Sequence, residues 1–115
     1  MNFSLNRSVI VHLFHILFVG GLFLYLGFKR NAAPSWIYPA LVVLGIAIII
    51  AHGMKLLKNA HSLISWFHVL IVAPLVIYIG CTGPHAPQIT YRLIVAAGIL
   101  AIGDHAYWLM HGAFF

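Results

Sequence analysis

Four long apolar stretches alternate with short polar or turn-rich ones along the chain, and this pattern predicts the architecture. Each stretch runs for about twenty residues, which at a rise of about 1.5 Å per residue matches the roughly 30 Å hydrocarbon core of a bilayer. Ser8 and Ser62 are placed to cap the first and third helices, and Pro74 predicts a bend inside the third. The sequence therefore predicts four transmembrane helices, over residues 9–28, 35–57, 63–80 and 90–110.

The chain repeats itself at an interval of 53 residues. Residues 14–27 read FHILFVGGLFLYLG and residues 67–80 read FHVLIVAPLVIYIG; when residues 8–60 are laid on 61–113 without a gap, 17 of 53 positions are identical. Because each copy holds two spans, both copies have the same orientation in the membrane. The predicted fold is all-α: one domain, residues 1–115, that forms an integral membrane four-helix bundle. It is a tandem duplication of a two-helix hairpin, with parallel repeats related by a pseudo-twofold axis.

Composition supports a membrane protein. Hydrophobic residues make up 63% of the chain and charged residues 6%, whereas about a quarter of a soluble domain is charged. The net charge is +5, but the Lys and Arg residues sit in loops and at helix ends, where lipid phosphates account for them. Nucleic acid is therefore not an expected partner. The single cysteine, Cys81, permits no disulfide within the chain.

Two of the identical positions are histidine in both copies: His15 matches His68, and His52 matches His105. Positions shared by helices two and four fall at intervals of 3, 4, 3 and 4, which is one helical stripe. The members of this stripe are Val42, Gly45, Ile49, His52 and Leu56, with Val95, Gly98, Ile102, His105 and Leu109. All four histidines fall at one depth, and an imidazole in hydrocarbon is costly unless its nitrogens are paired. The sequence therefore predicts an inward layer of four histidines that binds a metal.

Two kinds of centre fit such a layer. Imidazoles suit Zn, Cu, Fe and haem iron, whereas a chain with one acidic residue supplies no dedicated Ca²⁺ or Mg²⁺ site. A twofold pair of imidazoles across a bundle core favours haem b, while a bare transition-metal ion would use all four histidines. Three basic residues at the rim of the layer would neutralise the propionates of a haem: Arg7, Lys55 and Lys58. Three glycines would leave room for the porphyrin or allow close helix packing: Gly20, Gly45 and Gly98.

Four more residues lie at or near the same end of the helices as the histidine layer and are candidate accessory groups, namely His12, His61, Asp104 and His111. His12 lies one turn from His15. Asp104 adjoins His105 and is the only acidic residue; it either orients a ligating imidazole or pairs with a neighbouring His or Lys. His85, on the opposite loop, is expected to be exposed.

The sequence leaves three classes of function open. Binding haem or a metal ion for electron transfer, sensing or metal handling is the leading hypothesis. A His-gated proton or cation channel is the alternative, since His105 and Trp108 lie a turn apart and resemble the residue pair of viral proton channels. A structural or host-interaction membrane protein with hydrogen-bonded histidines is the third. No nucleophile with a partnered base appears, so hydrolase chemistry is not expected.

The strings SWFHVLIVAPLVIYIG and GDHAYWLMHG resemble small uncharacterised four-helix membrane proteins encoded by large DNA viruses. The resemblance covers most of the chain and implies a viral membrane protein, but no particular activity. Expected partners are the lipid bilayer, a redox or other membrane protein, and a second copy of the chain. An even number of spans places both termini on one side of the membrane, with a slight preference for the cytoplasm.

Overall fold

The computed structural model describes residues 7–111, which form four helices with short connections. The helices are α1, Arg7–Ala32; α2, Ile37–Lys58; α3, Leu63–His85; and α4, Gln88–Met110. No strand occurs in this described range. The prediction of an all-helical protein is confirmed, and all four helices are long and apolar enough to cross a membrane.

Most helix ends lie where the sequence predicts them. Ser62 caps α3, its Oγ accepting the backbone N–H of Ser65 at 3.3 Å. The cap predicted at Ser8 is wrong, because α1 is already helical at Arg7. The connection predicted between the helices over residues 63–80 and 90–110 is also too long. The α-helical part of α3 continues to Thr82 and a 3₁₀ turn, Gly83–His85, follows. Gly83 supports this tight ending with a φ of 68°, which glycine adopts without steric strain.

Both α1 and α3 contain a π-helical turn, and each turn begins at a repeated histidine. The turns are His15–Gly20 and His68–Val72, after which α-helix resumes. In α3 the turn directly precedes the segment holding Pro74, whose ring lacks an N–H and clashes with the carbonyl four residues earlier. A wider turn relieves that clash. The bend expected at Pro74 therefore takes the form of a π turn, and α1 has the same feature without a proline.

The chain divides into two compact units, and neither coincides with a sequence repeat. One unit pairs α1 with α4, residues 7–29 and 91–111 of the described part; the other, residues 30–90, pairs α2 with α3. We call them the α1–α4 pair and the α2–α3 pair. Each contains one helix from each half of the predicted duplication. The hairpins α1–α2 and α3–α4 are thus sequence repeats but not packing units.

Glycines bring the helices of each pair together at matched positions. In the α1–α4 pair Gly27 lies against Val95 and the carbonyl of Tyr91; in the α2–α3 pair the matching Gly80 lies against Val42 and the carbonyl of Tyr38. The other predicted packing glycines behave alike: Gly20 lies against Ile102, Gly45 against Ile77, and Gly98 against Phe23. Small residues of this kind allow close backbone approach in membrane helices.

A short polar network links helix ends within residues 30–90. The Asn31 side-chain amide donates to the carbonyl oxygens of Pro84 and Ala86, the latter at 3.4 Å, and its oxygen accepts from Gln88 Nε2 at 2.6 Å. These bonds anchor the segment before α2 to the end of α3.

We predict that Gly80→Ala destabilises the protein by about 1–3 kcal/mol, the range for overpacking a close contact. A Cβ at Gly80 would lie 2.7 Å from the Tyr38 carbonyl oxygen, and backbone cannot move aside as a flexible side chain can. Gly53→Ala is the matched control, because a Cβ there meets nothing within 4 Å. Chemical unfolding in detergent micelles measures both. Equal stability of the two variants would contradict the close contact.

Candidate metal centre

The α1–α4 pair holds two histidines in face-to-face contact. His15 opens the π turn of α1 and is half-buried, while His105 in α4 is only 5% exposed. Their ring centroids are 4.2 Å apart and the ring planes differ by 19°. His15 Nδ1 lies 2.8 Å from the carbonyl oxygen of Val11, so that nitrogen carries the proton and donates it to the backbone.

The α2–α3 pair repeats this arrangement residue for residue. His68 opens the π turn of α3, and its Nδ1 donates to the carbonyl oxygen of Ile64 at 2.7 Å. Its ring stacks on His52, which is 5% exposed, with centroids 4.0 Å apart and planes 10° apart. Each pair therefore combines a carbonyl-anchored imidazole on a π turn with a buried imidazole on the adjacent helix.

A phenylalanine supports each anchored ring from the side. Phe14 meets His15 edge-on at 5.6 Å and 86°, and Phe67 meets His68 at 5.9 Å and 90°. This T-shaped geometry is favourable for aromatic rings. The preceding residue thus helps to fix the orientation of each anchored imidazole.

The carbonyl hydrogen bonds determine which nitrogen is available for chemistry. A neutral imidazole that donates through Nδ1 carries its lone pair on Nε2. Metal-binding histidines very commonly donate their other N–H to a backbone carbonyl, which fixes both ring orientation and tautomer. In each pair, one ring is therefore prepared to bind a metal through Nε2.

His12 belongs to the α1–α4 site. It is 2% exposed, and its Nδ1 lies 2.8 Å from Nδ1 of His105, with ring centroids 5.1 Å apart. The spacing of three residues from His15 indicated the shared face. Its lack of a histidine partner in the repeat made it look like an ordinary interfacial residue. The matching position is Ser65, which is also buried.

The remaining accessory and rim residues lie at or near the surface. His61, Arg7 and Lys58 are exposed, Lys55 is half-buried, and His85 is exposed as expected. His111 is exposed and stacks on Tyr107 with centroids 4.2 Å apart.

Asp104 is not brought to an imidazole. Its side chain is exposed, and across residues 7–111 the structure shows no hydrogen bond or ion pair from its carboxylate. Both roles expected for it, orienting a ligating imidazole and pairing with a His or Lys, lack a supporting contact.

Sequence reasoning missed the backbone part of the site. The carbonyl oxygens of Val11 and Ile64 orient the anchored histidines, and a π turn begins at each of these histidines. No side-chain pattern marks a carbonyl acceptor. The matched positions of Pro74 and Gly21 were the only hint that the helices depart from α geometry there.

Comparison with known proteins gives no relative from which a role can be transferred. No family model, no curated protein and no solved structure matches the chain. The resemblance to viral membrane proteins stays a prediction, as does the single layer of four histidines.

We predict that His12→Leu destabilises the protein by about 1 kcal/mol, the scale of side-chain hydrogen bonds within membranes, because it removes the imidazole–imidazole hydrogen bond. His111→Leu, at an exposed histidine of the same helix pair, is the control and is expected to have little effect. Unfolding of both variants in detergent micelles measures the difference. The placement of His12 would be refuted if its variant were as stable as the control variant.

Proposed function

We propose that this protein is a multi-pass membrane protein whose duplicated histidine pairs bind a transition-metal ion. The membrane part rests on four helices with mean hydropathy between 1.6 and 2.3 over their most apolar windows. It also rests on the apolar side chains that they expose, such as Phe28 at 82% and Leu57 at 89%. In water such surfaces would promote association, whereas in lipid they are solvated.

The matched contacts support a duplication. The anchoring carbonyls, the stacked rings, the edge-on phenylalanines and two pairs of packing glycines, Gly27 with Gly80 and Gly45 with Gly98, recur at positions 53 residues apart. Selection for packing alone requires only that such positions be small or apolar. Retention of the histidines and of their hydrogen-bonding geometry in both copies favours a role for the imidazoles themselves.

The observation that carries the metal proposal is the anchored, stacked imidazole pair. Each pair has one histidine whose Nδ1–H is engaged by a backbone carbonyl, so that its Nε2 is the ligating atom, and a second imidazole in ring contact with it. Binding of a metal requires neutral, correctly oriented imidazoles. An all-imidazole donor set suits Zn²⁺, Cu²⁺ or Fe²⁺, and metal handling, sensing or electron transfer follows from which ion is held.

The ring geometry within each pair favours an ion over haem. Imidazoles that hold haem iron approach it as axial ligands with the porphyrin between them. The rings of each pair lie face to face at 4.0 and 4.2 Å, which leaves no space for a porphyrin between them. Haem binding by the two members of one pair would need those rings to move apart.

Metal content and colour of the purified protein test the proposal. We predict a transition metal in stoichiometric amount after purification without chelator, because the imidazoles are prepared to bind it. His52→Ala and His105→Ala should each lower the metal content. The loss is half if each pair holds its own ion, and complete if one ion needs all four histidines, which is one of the two alternatives that the sequence leaves open. His85→Ala, at an exposed histidine at the end of α3, is the control.

Absorption spectra of the oxidised and reduced protein identify the centre. A Soret band that sharpens on reduction would establish haem in place of an ion. Full metal content in both His52→Ala and His105→Ala would refute the histidine pairs as ligands. A metal-free protein whose variants lose only stability would favour the structural role.

A second candidate function, proton conduction, is favoured by the hydrogen bond between His12 and His105. Contacting imidazoles can pass protons, and an unperturbed imidazole gains its charge near about pH 6.5. Trp108, the other member of the predicted His–Trp pair, packs edge-on against Tyr107 with ring centroids 5.0 Å apart.

Proton flux into liposomes containing the protein separates the two candidates. If the protein conducts protons, we expect a flux that acid activates. The flux should be lost in His105→Ala, because His105 takes part in the imidazole contacts, and kept in His85→Ala, because His85 does not. A pH-sensitive dye inside the liposomes measures it. Flux equal to that of empty liposomes would reject conduction and leave the metal proposal in place.

A further inference from the structure

The two histidine pairs differ at a buried polar position next to the stacked rings. In the α1–α4 pair this position is His12, which is 2% exposed and hydrogen-bonded to His105 through the two Nδ1 atoms at 2.8 Å. In the α2–α3 pair the matching residue is Ser65, also 2% exposed, whose Oγ lies 3.1 Å from that of Ser62. A serine hydroxyl bonded within its own helix end supplies no imidazole nitrogen. The α1–α4 pair therefore carries a third imidazole that has no histidine counterpart.

Two neutral imidazoles that meet through Nδ1 share one proton, so one ring donates and the other accepts. If His105 donates, its lone pair lies on Nε2; if it accepts, Nε2 carries the proton and cannot bind a metal. His15 already presents Nε2, because its Nδ1–H is engaged by Val11.

We propose that His12 is a positioning residue: it accepts the Nδ1–H of His105 and so prepares His105 to bind the metal through Nε2. This inference rests on the proposed metal-binding function. His12 then accepts the Nδ1–H of His105, as the Val11 carbonyl accepts the Nδ1–H of His15. Both ligands of the α1–α4 pair present the same nitrogen.

The asymmetry has a consequence for binding. Partners that orient a metal-bound histidine typically change metal affinity about 10- to 100-fold when removed. Residue 12 therefore sets the affinity of the α1–α4 pair in a way that Ser65 does not reproduce for the α2–α3 pair. The replacement of a buried imidazole by a serine hydroxyl thus makes the duplicated sites chemically unequal.

The tautomer of His105 tests the inference without any metal. Nitrogen-15 NMR of ring-labelled histidine, in metal-free protein in micelles at about pH 8, where imidazole is neutral, distinguishes protonated from bare nitrogens. We expect His105 to carry its proton on Nδ1 with Nε2 bare. His12→Ser should give a mixture of tautomers, and His12→Asn should restore the single form, because the asparagine Oδ1 stands where Nδ1 stood. Ser65→Ala is the matched control and should leave His105 unchanged.

Zn²⁺ titration of the same variants completes the test. His12→Ser should weaken Zn²⁺ binding about 10- to 100-fold, with partial recovery in His12→Asn and no change in Ser65→Ala. A proton on Nε2 of wild-type His105, or an unchanged tautomer in His12→Ser, would overturn the positioning role. Failure of the wild-type protein to bind Zn²⁺, Cu²⁺ or Fe²⁺ would instead overturn the metal-binding function, while the NMR result still decides what His12 does.

Discussion

The hydrogen bond from a histidine ring to the carbonyl one turn earlier is the interaction on which the site depends. An apolar helix offers an imidazole almost no polar partner, and an imidazole with unpaired nitrogens is costly in an apolar setting. His15 and His68 meet this constraint with their own backbone, at 2.8 and 2.7 Å. This bond uses Nδ1 and leaves the lone pair of the neutral ring on Nε2. One contact thus pairs a ring nitrogen and fixes the tautomer of the ring.

Packing then presents each anchored ring to a buried one. The π turns begin at the anchored histidines, and glycines beyond them hold the paired helices close, as Gly27 and Gly80 do against carbonyls of α4 and α2. Because the helices of a pair come from different repeats, each site needs both halves of the chain. A single hairpin of the predicted ancestral kind would lack one ring of each stacked pair, so two such hairpins would be needed to form the sites.

The apolar and polar pattern was sufficient to predict four helices, and the 53-residue repeat to select His15, His52, His68 and His105 from eight histidines. Position in the helical stripe also predicted that His52 and His105 face inward, and both are buried. The pattern did not predict the features that depend on the backbone. Carbonyl acceptors and π turns have no side-chain signature, and the pairing of α1 with α4 depends on glycine contacts between distant segments. Repeat symmetry does not select His12, because the matching residue is Ser65, yet His12 is buried and hydrogen-bonded to His105.

X-ray absorption at the K-edge of the bound metal is the most direct measurement of the central claim, that the histidine pairs are ligands. It reports the ligand atoms around the metal and the multiple scattering that imidazole rings produce. We predict a first shell of nitrogen ligands with at least two imidazoles per ion, and a lower number of imidazoles per ion in His105→Ala. A shell of oxygen or sulfur, or an imidazole count unaffected by that substitution, would contradict it.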